Sequence, residues 1–401
     1  MTKMARANLL IGQSGGATAV INASLVGAVE TALASERVAN VYGMLHGIEG
    51  FLKEELIDLS RQPAELWPRL RETPSAALGT CRYRLRDEDL EHALALLRRY
   101  EIRYLLYIGG NDSADTLHRL ALAAQDRGYE LQAISIPKTI DNDLPLTDHC
   151  PGYGSAARFI ALATLDSSLN TSSIPWHYPV KIIETMGRDA GWLAAASALL
   201  KEDESDPPHL ILVPERPFRQ SEFLARVEAI QRRLGYVVIV VAETVRDESG
   251  RPLGSLGALG VDAFGHPLLS GAAQYLVESV RSQLGLRARF DKPGDLQRMA
   301  SAYVSPVDRA EALLVGRQAV LAVLAGESDQ MITLQREEGP VYGCTTGLAP
   351  LASIANEKRC LPAEYLDESG TMITEAFRDY ALPLLGELPP RYAQLAPIKV
   401  R

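Results

Sequence analysis

The chain has 401 residues, a formal net charge of −9 at pH 7, and a composition that is 47% hydrophobic and 23% charged. The length allows about two or three domains, the acidic balance argues against a nucleic-acid partner, and the apolar runs fall short of the roughly 18 residues that a membrane helix needs. The cysteines are scattered without a CxxC pair. This indicates reduced thiols in a cytoplasmic protein, and neither a zinc site nor a disulfide framework.

Short apolar runs alternate with helical patterns along the chain. The strands are predicted at 8–11, 104–108, 131–136, 180–184, 210–213 and 237–241. The helices are predicted at 18–34, 88–99, 114–127, 154–169, 221–234 and 307–324. Runs so rich in branched apolar residues are typical of strands buried on both faces. The pattern therefore predicts an α/β protein with parallel sheets, whose ligands bind outside the carboxyl ends of the strands.

A glycine-rich loop, "GQSGG", follows the first predicted strand. Gly15 and Gly16 would lead into a helix whose free amide groups and dipole could hold phosphate, although an ordinary tight turn explains them equally well. The loop also fits G-x-S-x-G, the nucleophile elbow of serine hydrolases. Too little chain precedes Gly12 to supply the usual oxyanion loop. A hydrolase that uses Ser14 is therefore a remote alternative.

Two further polar clusters combine charge with glycine. Arg82 and Arg84, in "LGTCRYRL", would share a face of an extended segment, where arginines bind phosphate or are simply exposed. In "GGNDSAD", Asn111, Asp112 and Asp115 could each cap the next helix. Together they exceed what a cap needs, and such oxygen ligands suit Mg²⁺ bound beside substrate phosphates.

The densest polar cluster, "PKTIDND", comes directly after the predicted strand at 131–136. If the backbone is extended there, the side chains of Thr139, Asp141 and Asp143 point the same way. A hydroxyl with two carboxylates could take a proton from an alcohol near a metal ion, whereas a polar turn is the ordinary alternative. Lys138 adds a compact cation that could bind phosphate.

Later blocks add charged groups near the ends of predicted elements: "ETMGRDAGW", "AETV" and "RARFDKPGDLQRMASA". The whole order, which runs glycine loop, LGT-x-R, GGNDS, PKTIDND, ETMGR-x-AGW, PE-x-PF, AE and R…QR, resembles that of the phosphofructokinase family. The resemblance extends from about Ile11 to Ala325. The blocks TIDND, MGR and GGNDS in this order are specific, and the sequence after about Tyr342 matches only loosely.

The resemblance implies an α/β fold of two Rossmann-like three-layer domains with mostly parallel sheets and the active site in the cleft between them. Residues 1–150 and about 300–340 would bind the phosphoryl donor. Residues 151–299 and about 341–401 would bind the sugar phosphate. The family often completes its sugar site with an arginine from a neighbouring subunit, which implies a homodimer or homotetramer.

The resemblance also implies residue roles. Asp141 resembles the general base that takes the proton of the fructose 6-phosphate 1-hydroxyl, with Thr139, Asp143, Lys138 and Arg188 as its catalytic neighbours. The implied donor contacts are Gly16, Arg82, Gly110, Asp112, Ser113 and Lys138. The implied sugar-phosphate contacts are Thr139, Asp141, Met186, Gly187, Arg188, Glu243, Arg289 and Arg298. The implied Mg²⁺ ligands are Asn111 and Asp112.

Two positions separate the donor types of this family. Members that use ATP have glycine where this chain has Asp112 and Lys138, so the sequence resembles the pyrophosphate-dependent branch. A carboxylate adds bulk and charge where the nucleotide's α-phosphate would lie, and a lysine can hold a terminal phosphate. The hypothesis is a transfer of phosphoryl groups from pyrophosphate to fructose 6-phosphate. An ATP-dependent enzyme is the nearest alternative, and a non-catalytic sugar-phosphate sensor is a remote one.

Three positions depart from the family pattern. Asn111 stands where a metal-binding aspartate is usual. Asp295 stands where a histidine or tyrosine is expected next to phosphate. Pro179 stands where an arginine usually contacts phosphate, so His177 or Lys181 would have to replace it.

Overall fold

Two β-sheets organise the part of the chain that the computed structural model describes, residues 6–254, 271–393 and 395. The strands are β1 (Ala7–Gln13), β2 (Val38–Met44), β3 (Leu56–Asp58), β4 (Ile102–Gly109), β5 (Gln132–Pro137), β6 (Val180–Thr185), β7 (Leu210–Leu212), β8 (Val237–Ala242), β9 (Ala288–Asp291), β10 (Gln330–Arg336) and β11 (Cys344–Pro350). The α-helices are α1 (Ile21–Leu33), α2 (Gly47–Leu52), α3 (Leu66–Leu70), α4 (Asp87–Arg99), α5 (Asn111–Asp126), α6 (Tyr153–Ser173), α7 (Trp192–Ala196), α8 (Gln220–Leu234), α9 (Ala272–Leu284), α10 (Leu296–Met299), α11 (Pro306–Ala325) and α12 (Glu375–Ala381).

The larger sheet has the strand order β11-β10-β5-β4-β1-β2-β3, and the smaller sheet has the order β7-β8-β6-β9. Neighbouring strands are parallel except at the two edges of the larger sheet, where β3 is antiparallel to β2 and β11 to β10. Strands β1, β4, β5, β6 and β8 are buried along most of their length, and in β8 every residue is buried. Such positions favour branched apolar residues on both faces of the strand. The predicted α/β class with mostly parallel sheets is confirmed.

The predicted elements match the structure where the pattern was strong. All six predicted strands and all six predicted helices are present, with ends that differ by a few residues. The largest shift is at the end of α6, which continues to Ser173, and α1 begins at Ile21 and not at Thr18. Strands β2, β3, β9, β10 and β11 were not predicted. None of the helices in the described ranges is long and apolar enough to cross a lipid bilayer.

The chain leaves the larger sheet after β5 and returns to it with β10 and β11. This path agrees with the order of the predicted donor and sugar-phosphate parts. The pairing of β11 with β10 would move residues 344–350 from the sugar-phosphate part to the donor part. With that change, the division of the chain into a donor domain and a sugar-phosphate domain remains a prediction.

Helix α11 connects the two halves of the molecule. A Cβ atom on Gly27 or Gly316 would overlap the backbone of the opposite helix, so these glycines let α1 and α11 touch at the main chain. At its other end, α11 presents the buried carboxylate of Asp308 to the start of α6. This carboxylate accepts hydrogen bonds from the amides of Gly152 (2.8 Å) and Ser155 (2.9 Å). Helix α11 is thereby fixed to α1, beside the larger sheet, and to α6, beside the smaller one.

Candidate active site

Polar loops from both sheets meet at the carboxyl ends of β1, β5, β6 and β8. The pKa of Asp141, after β5, responds to the charges of Lys138, Asp143, Arg188 and Glu243. The last two residues follow β6 and β8 in the other sheet. The structure therefore brings most of the predicted catalytic residues to one place, where ligands bind in open parallel sheets.

The loop that carries Asp141 bends at Ile140 and Asp141, so the condition of an extended backbone, under which the three side chains would point the same way, is not met. Asn142, which lies between the two aspartates, has a left-handed backbone (φ 55°). The hydroxyl of Thr139 nevertheless serves both of them, because it accepts a hydrogen bond from the Asp141 amide (3.0 Å) and also hydrogen-bonds the Asp143 carboxylate. Asn142 is held from below by the Tyr380 hydroxyl, to which its side-chain amide donates (2.9 Å).

Asp141 is set up to accept a proton near neutral pH. Burial, followed by the negative charges of Asp143 and Glu243, raises the pKa of Asp141 to about 7. Arg188 and Lys138 oppose this rise. Burial also raises the pKa of Asp143, against hydrogen bonding and the positive charge of Lys358. A carboxyl group with a pKa near the working pH is suited to general-base catalysis.

Lys138 is a buried cation beside the glycine loop. Its side chain is only slightly exposed (4% for the residue), and its Nζ donates to the carbonyl of Gly16 (2.8 Å). Burial, followed by the charge of Arg298, lowers the pKa of Lys138 to about 8. The guanidinium of Arg298 lies against Gly16, where it occupies the space that a Cβ atom at this position would take. The cations at this loop are thus Lys138 and Arg298, whereas α1 begins only at Ile21, several residues after the glycines.

Arg188 lies in a turn with an unusual backbone. Gly187 (φ 134°) and Arg188 (φ 40°) both have positive φ, which costs energy at a residue other than glycine. The surrounding structure holds the turn in place. The Arg188 amide donates to the Glu243 carboxylate (3.4 Å), and the Met186 amide donates to Oε1 of Gln297 (2.9 Å).

The start of α5 does not use its polar side chains as caps. Its N-cap is Gly110, and no side-chain cap bond is present. Asn111 donates to the carbonyl of Glu357, while its Oδ1 is buried without a hydrogen-bond partner among the described residues. Asp112 lies in the first turn and is partly buried. Ser113 is buried against Gly109, next to this turn.

Arg82 and Arg84 line the same open groove, which has a volume of about 820 Å³. Asp115 and Arg119 from α5 line it too. The predicted donor contact Arg82 thus lines a groove between its own segment, "LGTCRYRL", and α5, the helix that begins at Asn111.

The arginines predicted for the sugar phosphate have different surroundings. Arg298 is paired with Asp295 and lies against Gly16. Arg289 stacks on Tyr178, with its guanidinium carbon 3.8 Å from the ring centroid. The Nε and Nη2 atoms of Arg289 are buried and have no hydrogen-bond partner within the described part of the chain. Lys181, one of the two predicted replacements for the missing arginine, is bonded to Asp291 (2.8 Å).

The remote hydrolase alternative receives no support from the surroundings of Ser14. The residue is buried (6% exposed), and its side chain hydrogen-bonds with the hydroxyl of Tyr107. Tyr107 also accepts a hydrogen bond from the amide of Ile48 (3.0 Å). This arrangement fastens the glycine loop to β4 and does not activate the serine.

The sequence reasoning missed residues 356–359, which lie against the site. Asn356 donates to Asp115 (3.1 Å), the carbonyl of Glu357 accepts from Asn111, Lys358 pairs with Asp189 (2.6 Å), and the Arg359 amide donates to the carbonyl of Asp143 (2.7 Å). No local pattern in "NEKR" marks these contacts, because half of them use the backbone and all are distant in sequence.

The chain matches known proteins along most of its length. The family model "Phosphofructokinase" matches residues 8–323. A pyrophosphate–fructose 6-phosphate 1-phosphotransferase of Halomonas elongata is 42% identical over 96% of this chain and 94% of the relative. A sulfofructose kinase of Alkalicoccus urumqiensis is 34% identical over 95% of this chain and 96% of that protein.

A solved structure agrees with these relatives. The crystal structure of a pyrophosphate-dependent phosphofructokinase from Marinobacter aquaeolei superposes with a TM-score of 0.87, at 37% identity and 98% coverage of both chains. The motif order, the two parallel sheets and these matches agree, and the chain belongs to the phosphofructokinase family.

Proposed function

We propose that the protein transfers a phosphoryl group from pyrophosphate to the 1-hydroxyl of fructose 6-phosphate, giving fructose 1,6-bisphosphate and phosphate. The observation that carries this proposal is the meeting of Asp141, a carboxyl with a pKa of about 7, with the cations Lys138 and Arg188. Relatives named pyrophosphate–fructose 6-phosphate 1-phosphotransferase, 39–42% identical over nearly the whole chain, support the same reaction.

In the reaction, Asp141 would take the proton of the 1-hydroxyl as that oxygen attacks the terminal phosphorus of pyrophosphate. The bond to the bridging oxygen breaks, and inorganic phosphate leaves. Lys138 and Arg188 would offset the negative charge on the transferred group. Phosphoryl transfer depends mainly on positioning and charge neutralisation, which the buried Lys138 and the partly buried Arg188 can provide. Thr139 would keep Asp141 and Asp143 in register through its two hydrogen bonds.

The proposed donor choice rests on Lys138 and Asp112. Lys138 Nζ lies 2.8 Å from the Gly16 carbonyl, beside the loop proposed to hold pyrophosphate with Arg82, Gly110 and Ser113. Asp112, in the first turn of α5, adds a negative charge that would repel the additional phosphate of a nucleotide. ATP remains the alternative donor.

Mg²⁺ is the proposed metal ion. The buried Oδ1 of Asn111 lacks a hydrogen-bond partner among the described residues and is therefore suited to a ligand role. Asp112 is next to it in sequence, and carboxylate and amide oxygens are the protein ligands that Mg²⁺ prefers. The described residues contain no preformed cluster of three or more His, Cys, Asp or Glu side chains. Substrate oxygens would complete the coordination of the ion, which would neutralise charge on the pyrophosphate.

The acceptor would be held by Met186, Gly187, Glu243 and the two arginines, Arg289 and Arg298. A sulfonated sugar is a second candidate acceptor, for which a specific observation speaks. Asp295 pairs with Arg298 and partly neutralises it. A sulfonate carries one negative charge, whereas a phosphate monoester carries nearly two at pH 7, and a sulfofructose kinase is among the relatives.

A homodimer or homotetramer in the cytoplasm completes the proposal. Three exposed apolar side chains lie at or near the smaller sheet. Phe290 is on its edge strand β9, Leu169 is on α6, which packs on β6, and Leu296 is on α10, which packs on α6. An exposed edge strand beside apolar side chains suits contact with another subunit.

The test uses purified protein with Mg²⁺ and measures the sugar 1-phosphate product that forms from each acceptor. Pyrophosphate and ATP are offered in turn with fructose 6-phosphate, and sulfofructose then replaces the sugar. We expect turnover with pyrophosphate and fructose 6-phosphate, and little with ATP. Product with ATP alone would favour the alternative donor. A higher kcat/KM for sulfofructose would favour the second acceptor.

A further inference from the structure

Residues 356–359, which we call the strap, connect the start of α5, which carries predicted donor contacts, with the turn that carries Arg188. On one side, Asn356 and Glu357 touch the start of α5 through Asp115 and Asn111. On the other side, Lys358 bonds to Asp189, which directly follows Arg188. The strap is therefore in contact with two segments that carry predicted site residues, the start of α5 and the Arg188 turn.

Arg359 anchors the strap in the loop that carries Asp141. Its side chain donates to the carbonyls of Asn142 (3.1 Å from Nη2), Thr147 (2.6 Å) and Asp148 (2.7 Å). Its guanidinium also stacks on Trp192, 4.6 Å from the ring centroid. These contacts fix the Arg359 guanidinium in several directions. They therefore also restrict the backbone position of the preceding residue, Lys358.

Lys358 forms an ion pair with Asp189. The Oδ2 of Asp189 is 2.6 Å from Lys358 Nζ, and its Oδ1 is 3.3 Å from Arg246 Nη2. Arg188 precedes it with a left-handed backbone (φ 40°), which persists only where neighbouring contacts impose it. The shorter of the two charge contacts at Asp189 is therefore a restraint on the Arg188 turn.

We propose that Lys358 is a positioning residue for phosphoryl transfer: by bonding Asp189, it ties the Arg188 turn to the loop that carries Asp141. The inference rests on the proposed function, since it concerns the orientation of Arg188 in that reaction. Lys358 acts through Asp189, and the bond keeps the Arg188 guanidinium aimed at the transferred group. Small displacements of such a group slow catalysis strongly without abolishing substrate binding.

The exposure of the pair separates this role from a purely structural one. The side chains of Lys358 and Asp189 are 46% and 42% exposed, and ion pairs this exposed add little to folding stability. A structural role would therefore leave both stability and kcat nearly unchanged on removal. A positioning role would lower kcat while leaving stability and the KM values nearly unchanged.

The experiment compares Lys358→Met, Lys358→Arg, Asp189→Asn and the double variant Lys358→Met/Asp189→Asn with the wild type, using pyrophosphate, fructose 6-phosphate and Mg²⁺. Lys53→Met is the matched control, because Lys53 pairs with Glu49 (2.9 Å) on the surface with 60% and 42% exposure. We expect Lys358→Met and Asp189→Asn each to lower kcat about tenfold or more, with the KM for fructose 6-phosphate within about threefold. The double variant should be no worse than either single one, because both remove the same bond.

Lys358→Arg should have a kcat within about threefold of the wild type. The control variant Lys53→Met should have the kcat of the wild type. The inference is overturned if Lys358→Met keeps more than half of the wild-type kcat, if arginine rescues nothing, or if the losses in the double variant multiply. A fall in melting temperature that accounts for the lost activity would also overturn it. A wild type that is inactive with pyrophosphate would refute the proposed function itself, whereas an active wild type with unaffected variants refutes only the role of Lys358.

Discussion

The pH dependence of turnover follows directly from the charges around Asp141. The perturbation is a change of assay pH from 8 to 6. With a pKa of about 7, the carboxyl is about 90% ionised at pH 8 and about 10% at pH 6. If its ionised form is the general base, kcat/KM should fall about tenfold over this range. An aspartate with an ordinary pKa of about 3.9 would remain ionised throughout and cause no change.

The assay measures kcat/KM for fructose 6-phosphate at closely spaced pH values with saturating pyrophosphate and Mg²⁺. Substrate phosphates also titrate, with a second pKa of about 6, so a variant is needed to assign the limb to the enzyme. Glu243→Gln serves this purpose, because the charge of Glu243 raises the pKa of Asp141. Its removal should lower that pKa and move the acid limb to lower pH, whatever happens to the rate. Titration of a substrate phosphate would not respond to the variant.

A ratio of kcat/KM between pH 8 and pH 6 below about twofold would refute the assignment of Asp141 as a base with a raised pKa. A tenfold ratio whose limb stays in place in Glu243→Gln would assign the titration to the substrate and not to Asp141.

Three further predictions concern the donor, the acceptor and stability. Lys138→Met should lower kcat/KM for pyrophosphate by roughly 10- to 100-fold, which corresponds to the loss of a charged hydrogen bond, and should bring no gain with ATP. Asp112→Gly should allow weak activity with ATP. If the ratio of kcat/KM for the two donors stays within about threefold of the wild type in both variants, the proposed donor choice is contradicted. Arg298→Ala should raise the KM for fructose 6-phosphate through lost binding; a rise in the KM for pyrophosphate alone would assign Arg298 to the donor, which it also approaches at Gly16. Arg359→Met should lower the free energy of unfolding by about 3 kcal/mol, because several carbonyls lose a charged donor; urea unfolding measures this, and a loss below about 1 kcal/mol would show that the loop finds other partners.

The sequence predicts those parts of the fold whose burial requires a recognisable pattern of apolar residues. Strands β1, β4, β5, β6 and β8 are inner strands of parallel sheets, and each is an apolar run. The edge strands β3, β9 and β11 face solvent in part, and their mixed sequences resemble loops. Their pairing is decided by neighbours that are far away in the chain.

The same limit applies to the site. The motif "PKTIDND" marked Lys138, Asp141 and Asp143, because side chains of these types have few reasons to follow a buried strand. The left-handed backbone at Asn142 gave no signal, since it depends on contacts with Tyr380 and Cys150. The strap left no trace for a similar reason. Its contacts come from main-chain atoms and from a lysine and an arginine that look like ordinary surface residues.

The contact between α1 and α11 has a consequence for the order in which the chain folds. Nearly 300 residues separate Gly27 from Gly316, and the main chains of the two helices touch only after both have been synthesised. The open edge of β5 likewise waits for β10. While the ribosome makes the second sheet, the first one lacks both a covering helix and an edge strand, and it exposes the apolar surfaces that later become core. Contacts of such long range slow folding and favour self-association of the unfinished chain. The first half of this protein is therefore the part whose apolar surfaces wait longest for their partners during synthesis.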